Sequence, residues 1–347
     1  MKRRYNNIDS LRFIASLGIV MVHVLKNIDF YDMPSQGVYG YISALLLMRM
    51  EKFVSLFFLI SGFSISCGYY HRVKDGNISM NDFFAKRYRR ILPLFAAIVL
   101  VEAGYLFVTH NMETIGIIFE SVADLTLVYS FLPAANISIV GVGWALGVIF
   151  AFYIIYPFIV FCTWTKKRGW ISLLVAVFLS YSARTYFAGA GNITNCNIAM
   201  WAQYFIAGVI IYLYIDQISA WIEKSKLLSL GVFVFGFFLA FFVSLDSIFL
   251  ENVKNLLSWS IVLISALGQD WSMSNTRIVK LCSQYSFDIY LLHMMVLRLL
   301  QKCHLVSYNG IWGVVADTAV IYLSALLIAY LFTLVLKTMS PLRKRRT

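Results

Sequence analysis

Long apolar runs, separated by short polar segments, extend along the chain from residue 11 to residue 337. Most of them hold 18 or more residues, enough to cross a hydrocarbon core of about 30 Å as a helix. Within a bilayer, helices satisfy their own backbone hydrogen bonds, so the pattern predicts an all-α fold. We expect a polytopic membrane protein with about ten transmembrane helices. The predicted spans are residues 11–28, 53–70, 91–109, 143–164, 170–189, 198–215, 227–245, 255–269, 283–303 and 312–337.

Segment 114–131 is apolar, but its charges argue against a further span. Glu120 and Asp124 lie four positions apart and therefore share one helix face, and Glu113 precedes them. A helix with one polar face fits a re-entrant or interfacial position. We predict such a helix on the outer side of the membrane. Counting it as a span would also move the basic cluster 165–168 to the outside.

Charge placement predicts the topology and excludes a nucleic-acid binder. The chain is 60% hydrophobic and only 13% charged, and its net charge of +12 comes from short basic clusters between apolar runs. With the N-terminus inside, the predicted cytoplasmic segments hold 20 of the 29 Lys and Arg residues. This agrees with the positive-inside rule and puts both termini in the cytoplasm. The longest polar segment, 71–90, is too short for a soluble domain, so we expect one membrane domain over 1–347.

Neither the N-terminus nor the cysteines indicate a further functional site. The basic residues Lys2, Arg3 and Arg4 precede an apolar run without a small-residue cleavage site, which favours a retained first helix over a signal peptide. The five cysteines show no metal-binding spacing, so we expect reduced core residues and no metal site.

Two histidines are predicted at similar depth within the membrane. His23 lies about 18 Å and His293 about 15 Å from the inner face, at 1.5 Å per residue. Ionisable groups inside spans cost several kcal/mol and are functional candidates by default. For either histidine alone, a core role with a hydrogen bond to a carbonyl is an equally good interpretation.

A basic cluster at residues 83–95 is the second candidate. Lys86, Arg87, Arg89 and Arg90 crowd the cytoplasmic end of the third span, and Arg87 and Arg90 share a helix face. Ordinary topogenic charge explains such a cluster. Recognition of phosphate groups by guanidinium is the functional alternative, and the number of charges alone does not decide between the two.

Other polar or small residues have simpler explanations. Asp9 and Arg12 are spaced for an ion pair within one helical turn. Ser61 and Gly62 either let helices pack closely or leave a gap for a thin substrate arm. Arg184 and Arg298 lie near the outer ends of their spans and are interpreted as snorkelling to the interface.

Taken in order, four sequence elements resemble the acyltransferase 3 family of bacterial membrane enzymes, which O-acylate surface sugars. The resemblance covers nearly the whole chain. Its elements are D-x-L-R with a following histidine (Asp9, Arg12, His23), FF-x-x-SGF (residues 57–63), R-x-x-R-I-x-P (residues 87–93) and S-x-x-S-x-x-I-Y-L-x-H ending at His293. One further family pattern is kept at Trp144, Tyr153 and Pro157, but Ile149 stands where a glutamate is expected.

The resemblance implies an O-acyltransferase of the bacterial cytoplasmic membrane. Acyl-CoA, most simply acetyl-CoA, would be the donor, no cofactor would be permanently bound, and the acceptor would be a hydroxyl of a cell-surface or lipid-linked saccharide. His23 would then be the catalytic residue. Arg87, Arg90, Arg89, Lys86, Ser61 and Gly62 would bind the donor, and Asp9, Arg12, Trp144, Tyr153 and His293 would support the site.

A glycolipid or polysaccharide transporter remains the alternative. Transport would explain charges within the membrane, but it predicts no consumption of thioester. The oligomeric state and the acceptor sugar are not predicted by the sequence.

Overall fold

The computed structural model describes residues 5–26, 49–127, 129–131, 138–186, 196–224, 226–267, 271–306 and 310–339. It is 89% helix, and the described residues contain no strand, which agrees with the predicted all-α fold. The α-helices are α1 (Asn6–Lys26), α2 (Phe53–Lys74), α3 (Met80–Thr109), α4 (Thr114–Thr126), α5 (Trp144–Ile154), α6 (Tyr156–Cys162), α7 (Lys166–Tyr186), α8 (Ala202–Leu213), α9 (Ile215–Lys224), α10 (Lys226–Phe242), α11 (Ile248–Leu267), α12 (Arg277–Lys302) and α13 (Gly310–Met339). Short 3-10 turns cover Arg49–Lys52, Tyr129–Phe131, Gly141–Gly143, Ile198–Trp201 and Ser272–Asn275.

By length and hydropathy, five of the described helices can cross a membrane: α1, α2 with the turn before it, α3, α11 and α13. The bent pairs α5–α6 and α8–α9, with angles of 57° and 71°, raise the number to seven if each pair is one span. The other predicted spans coincide with α7, α10 and α12. Among these, α10 has only 17 residues, and α12 carries charged residues along its length. The figure of about ten spans and the position of the termini therefore stay predictions.

Helix α4 matches the predicted non-spanning segment. It has 13 residues, about 20 Å of helix, and it is not among the candidate spans. Its side chains Ile115, Ile118, Phe119 and Val122 are exposed, whereas Asp124 is fully buried. The helix therefore exposes four large apolar side chains and buries one carboxyl.

One compact unit is built from the two ends of the chain, Met1–Phe53 and Trp271–Thr347. Polar contacts join its helices. The Ser16 and Tyr322 hydroxyls lie 2.9 Å apart between α1 and α13. At the start of α1, the hydroxyls of Ser10 and Ser274 lie 2.7 Å apart, and the Ser274 hydroxyl is also 2.7 Å from the Asn7 Oδ1.

The other compact unit is Val54–Asp270. Helices α2 and α8 meet there at glycines, because no side chain fits between them. A Cβ atom on Gly62 would lie 2.0 Å from the Phe205 carbonyl oxygen, and one on Gly208 would lie 2.1 Å from that of Leu59. The Tyr70 hydroxyl donates to the Thr163 carbonyl over 2.6 Å and ties α2 to the end of α6.

Candidate functional site

The two histidines lie side by side within the first unit. His23 on α1 and His293 on α12 have ring centroids 5.0 Å apart, with their planes 48° apart. His293 is fully buried, whereas His23 is partly exposed. Residues 270 positions apart in the sequence thus form one imidazole pair.

The tautomer of His293 follows from its partner. Its Nδ1 lies 2.6 Å from the Tyr290 carbonyl oxygen. Because a carbonyl only accepts, Nδ1 must carry the hydrogen. In the neutral ring, Nε2 is then a lone-pair acceptor, and this atom is buried without a hydrogen-bond partner. The expected core interaction with a carbonyl is therefore present, but it uses one nitrogen and leaves the other for chemistry.

Asp9 and Arg12 mark the start of α1. The Arg12 guanidinium lies 3.9 Å from the Asp9 carboxylate, and the Ser283 hydroxyl donates to the same carboxylate oxygen over 2.7 Å. Arg12 precedes His23 by eleven positions, about 16 Å along the helix axis. The group therefore fixes α1 against α12 and does not reach the imidazole pair.

A second constellation, the Arg87 cluster (Ser61, Tyr69, Arg87 and Tyr153), lies in the other unit. The Arg87 guanidinium carbon lies 4.4 Å from the centroid of Tyr69 and 5.6 Å from that of Tyr153. The Tyr153 hydroxyl is 3.2 Å from the Ser61 Oγ. Arg87 Nε is buried without a hydrogen-bond partner. The Arg87 guanidinium on α3 thus lies against one tyrosine ring from α2 and one from α5, and its Nε–H donor has no hydrogen-bond partner.

The remaining predicted donor-binding residues do not join this cluster. Lys86, Arg89 and Arg90 are exposed on α3. Gly62 faces the backbone of Phe205, which fills the space beside it and favours the packing interpretation. Trp144, which was predicted as a supporting residue, lies in an aromatic group, with its ring centroid 5.4 Å from that of Trp201.

The comparison with family models decides the identity. The model of the acyltransferase 3 family, described as an acyltransferase domain, matches residues 5–336. The chain belongs to this family. No curated protein and no solved structure matches it. Family membership and the apolar helices make the chain a membrane acyltransferase.

This acyltransferase also buries a carboxyl that the sequence places only on the polar face of a helix. Asp124 is fully buried, and its Oδ1 has no hydrogen-bond partner. Its Oδ2 lies 3.5 Å from the Ser138 hydroxyl. The pKa of Asp124 is raised from 3.8 to about 7, chiefly by burial. Hydrogen bonds from Val140, Ser138 and Ile139 lower this pKa, and the nearby Glu120 carboxylate raises it. The spacing of Glu120 and Asp124 indicates a polar face, but it does not reveal which of the two points inward.

Within the described part of the acyltransferase, no group of three or more His, Cys, Asp or Glu side chains is arranged to hold a metal ion.

Proposed function

We propose that the protein transfers an acyl group, most simply acetyl, from acyl-CoA to a hydroxyl of a cell-surface or lipid-linked saccharide in the bacterial cytoplasmic membrane. The main observation that supports this proposal is the His23–His293 pair, with ring centroids 5.0 Å apart, in a chain of an acyltransferase family. Imidazole is the side chain most often used to move a proton during such a transfer.

The proposed reaction has two proton transfers. The His23 imidazole removes the proton of the saccharide hydroxyl while its oxygen attacks the thioester carbonyl. The carbon–sulfur bond then breaks, and the departing CoA sulfur takes the proton back from His23. An acyl-imidazole on His23 is the two-step variant of the same exchange. The unpartnered Nε2 of His293 supports either version, because it can accept an N–H from a protonated His23 after a small ring rotation.

Donor recognition is assigned to the basic residues of α3. Arg87 is the central one, because its guanidinium lies against two tyrosine rings and has an unused N–H. Guanidinium groups bind phosphate oxygens in pairs. The exposed Lys86, Arg89 and Arg90 add positive charge for the remaining phosphates of the CoA nucleotide. Ser61 and Tyr153 hold the cluster in register, and we assign Gly62 to helix packing.

The predicted topology supports this division of roles. The positive-inside map puts the basic cluster on the cytoplasmic face, where acyl-CoA is made, and it puts segment 110–142 outside. Asp9 and Arg12 then hold the start of α1 at the cytoplasmic interface. In this scheme the acyl group, and not the saccharide, crosses the midplane.

The experiment uses purified protein, acetyl-CoA and a glycan extract from the bacterial envelope. We expect release of free CoA thiol that depends on the glycan, with mass spectrometry showing acetyl groups on the glycan in equal amount. Movement of the glycan across a vesicle membrane without thiol release would contradict acyl transfer and would indicate a transporter.

A further inference from the structure

An aromatic platform, made of Phe58, Trp144 and Trp201, lies within the second unit. Phe58 stacks on Trp201, with ring centroids 4.7 Å apart and planes within 22°. Trp144 follows at 5.4 Å from Trp201. Phe58 is fully buried and Trp201 is 8% exposed, whereas Trp144 is partly exposed. The platform is therefore anchored in the core and open at Trp144.

Arg184, from the last turns of α7, lies over this platform. Its guanidinium carbon is 5.5 Å from the Trp201 ring centroid. Its Nη2 makes one long contact, 3.5 Å, to the Met200 carbonyl, which already accepts the Ser180 hydroxyl over 2.8 Å. The Arg184 Nε is buried without a hydrogen-bond partner.

Among the described residues, no carboxylate pairs with Arg184. A partly buried guanidinium without a counterion is costly unless something else compensates its charge. Contact with an indole face offsets part of the cost. This contact uses the face of the guanidinium group and leaves the N–H donors in its plane available. Their spacing fits two oxygens of a carboxylate or phosphate.

The position of Arg184 along α7 separates it from the donor residues. It follows Lys166 by 18 positions, about 27 Å of helix and close to the thickness of a hydrocarbon core. Lys166, Lys167 and Arg168 form the basic end of α7, which the charge pattern predicts to be cytoplasmic. Arg184 then lies near the outer face, where a saccharide acceptor approaches.

We propose that Arg184, Trp201 and Trp144 form a subsite for an oxyanion-bearing saccharide acceptor. The guanidinium binds the carboxylate or phosphate of the sugar, and an apolar sugar face packs on the open part of Trp144. This inference rests on the proposed function because it takes the bound sugar to be the acyl acceptor. The binding itself does not require acyl transfer.

The test is equilibrium binding to the purified protein without acyl-CoA, followed by tryptophan fluorescence. The probes are methyl glucuronide, glucose 1-phosphate and the neutral methyl glucoside. We expect at least one charged sugar to bind about tenfold more tightly than the neutral one, the gain expected for a charge-assisted bidentate contact. Preference for the first or second probe tells whether the anion is a carboxylate or a phosphate.

Variants of Arg184 test whether the preference for the charged sugar depends on the proposed subsite. Arg184→Gln should lower the affinity for the charged sugar to that of the neutral sugar, and Arg184→Lys should keep only part of the difference. Arg298→Gln is the matched control, because Arg298 is also predicted near an outer helix end and is exposed. If Arg184→Gln does not fold, the comparison of wild type with Arg184→Lys carries the test.

Equal binding of charged and neutral sugars by the wild type would overturn the subsite. An unchanged preference in Arg184→Gln or in Arg184→Lys would do the same. Acetyl-CoA binding, measured in parallel, should be the same in wild type and Arg184→Gln. Its absence from the wild type would contradict the proposed function and leave the sugar result standing.

Discussion

His293 shows how one hydrogen bond prepares a residue for chemistry. The Tyr290 carbonyl, 2.6 Å from Nδ1, fixes the ring orientation as well as the tautomer. The buried Nε2 has no partner, and the His23 ring is its neighbour. A purely structural histidine would satisfy both nitrogens, since an unsatisfied buried polar atom costs about 1–3 kcal/mol. The arrangement therefore favours a positioning role for His293 beside His23, the proposed catalytic residue.

Replacing His293 by Asn tests this role. The variant keeps a polar side chain that can still donate to the Tyr290 carbonyl, but it has no atom at the position of Nε2 beside His23. We expect kcat for acyl transfer to fall about 10- to 100-fold, while KM for acetyl-CoA stays the same. Steady-state kinetics of thiol release give both constants, and a change in KM alone would contradict the assignment.

Arg87 should depend on the shape of its side chain as well as its charge. Arg87→Lys keeps the charge but loses the flat fork that lies against Tyr69 and Tyr153. We expect acetyl-CoA affinity to fall by about tenfold in Arg87→Lys and further in Arg87→Ala. Calorimetric titration measures it, with Lys167→Gln as the control from another exposed basic site. If Arg87→Ala bound acetyl-CoA as tightly as the wild type does, the donor site would have to lie elsewhere.

Asp124 should make stability depend on pH. Its folded pKa, about 7, exceeds the ordinary carboxyl value of 3.8 because the side chain is buried. The folded state therefore holds an extra proton between these values, and stability is lost as pH rises through 7. We expect the apparent Tm in detergent to fall between pH 5.5 and pH 8.5 and this fall to be smaller in Asp124→Asn. The exposed Asp75→Asn should behave as wild type. The same pH dependence in Asp124→Asn would show that another group titrates.

At the scale of elements, the contact of α2 and α8 depends on two glycines. The nearest atoms to a Cβ on Gly62 or Gly208 are backbone oxygens, at 2.0 and 2.1 Å, and backbone cannot move aside as a flexible side chain can. The sequence signal for such close packing was the pair of small residues in a bulky helix. The partner helix could not be predicted, because nothing in the local sequence identifies which distant segment comes close.

Gly62→Ala and Gly208→Ala should each force α2 and α8 apart. We expect a loss of stability of about 1–3 kcal/mol, typical of overpacking, seen as a lower apparent Tm. Gly68→Ala is the control within α2, because a Cβ there meets nothing within 4 Å. Equal Tm values for the three variants would show that the helices do not approach as closely as described.

Hydropathy predicts where helices lie better than where they begin and end. The span predicted from residue 91 belongs to a helix that begins at Met80, where the Ser79 hydroxyl accepts from the Asp82 N–H as a cap. Apolar content marks only the part of a helix inside the bilayer. The similar depth of His23 and His293 was predicted from the sequence, but the burial of Asp124 and the partial burial of Arg184 were not. Both depend on which way a side chain points after packing, and spacing along one helix does not encode this.

At the scale of the whole molecule, the sidedness of the loops remains a prediction from charge. His110, between α3 and α4, and Asn77, between α2 and α3, are both exposed. A cysteine at either position is therefore accessible to a thiol reagent on its own side, in a background where the exposed Cys303 is replaced by Ser. We expect His110→Cys to react with a membrane-impermeant maleimide in intact cells and Asn77→Cys to react only after permeabilisation. The reverse pattern would invert the topology.

The central claim is that an acyl group passes from acyl-CoA to a saccharide with His23 as the proton acceptor. Transfer of radiolabelled acetyl from acetyl-CoA to envelope glycan by purified protein tests it most directly. His23→Ala should reduce the rate at least about 100-fold, with acetyl-CoA binding and apparent Tm unchanged, whereas the exposed His71→Ala should transfer as wild type does. Wild-type transfer by His23→Ala would contradict the account.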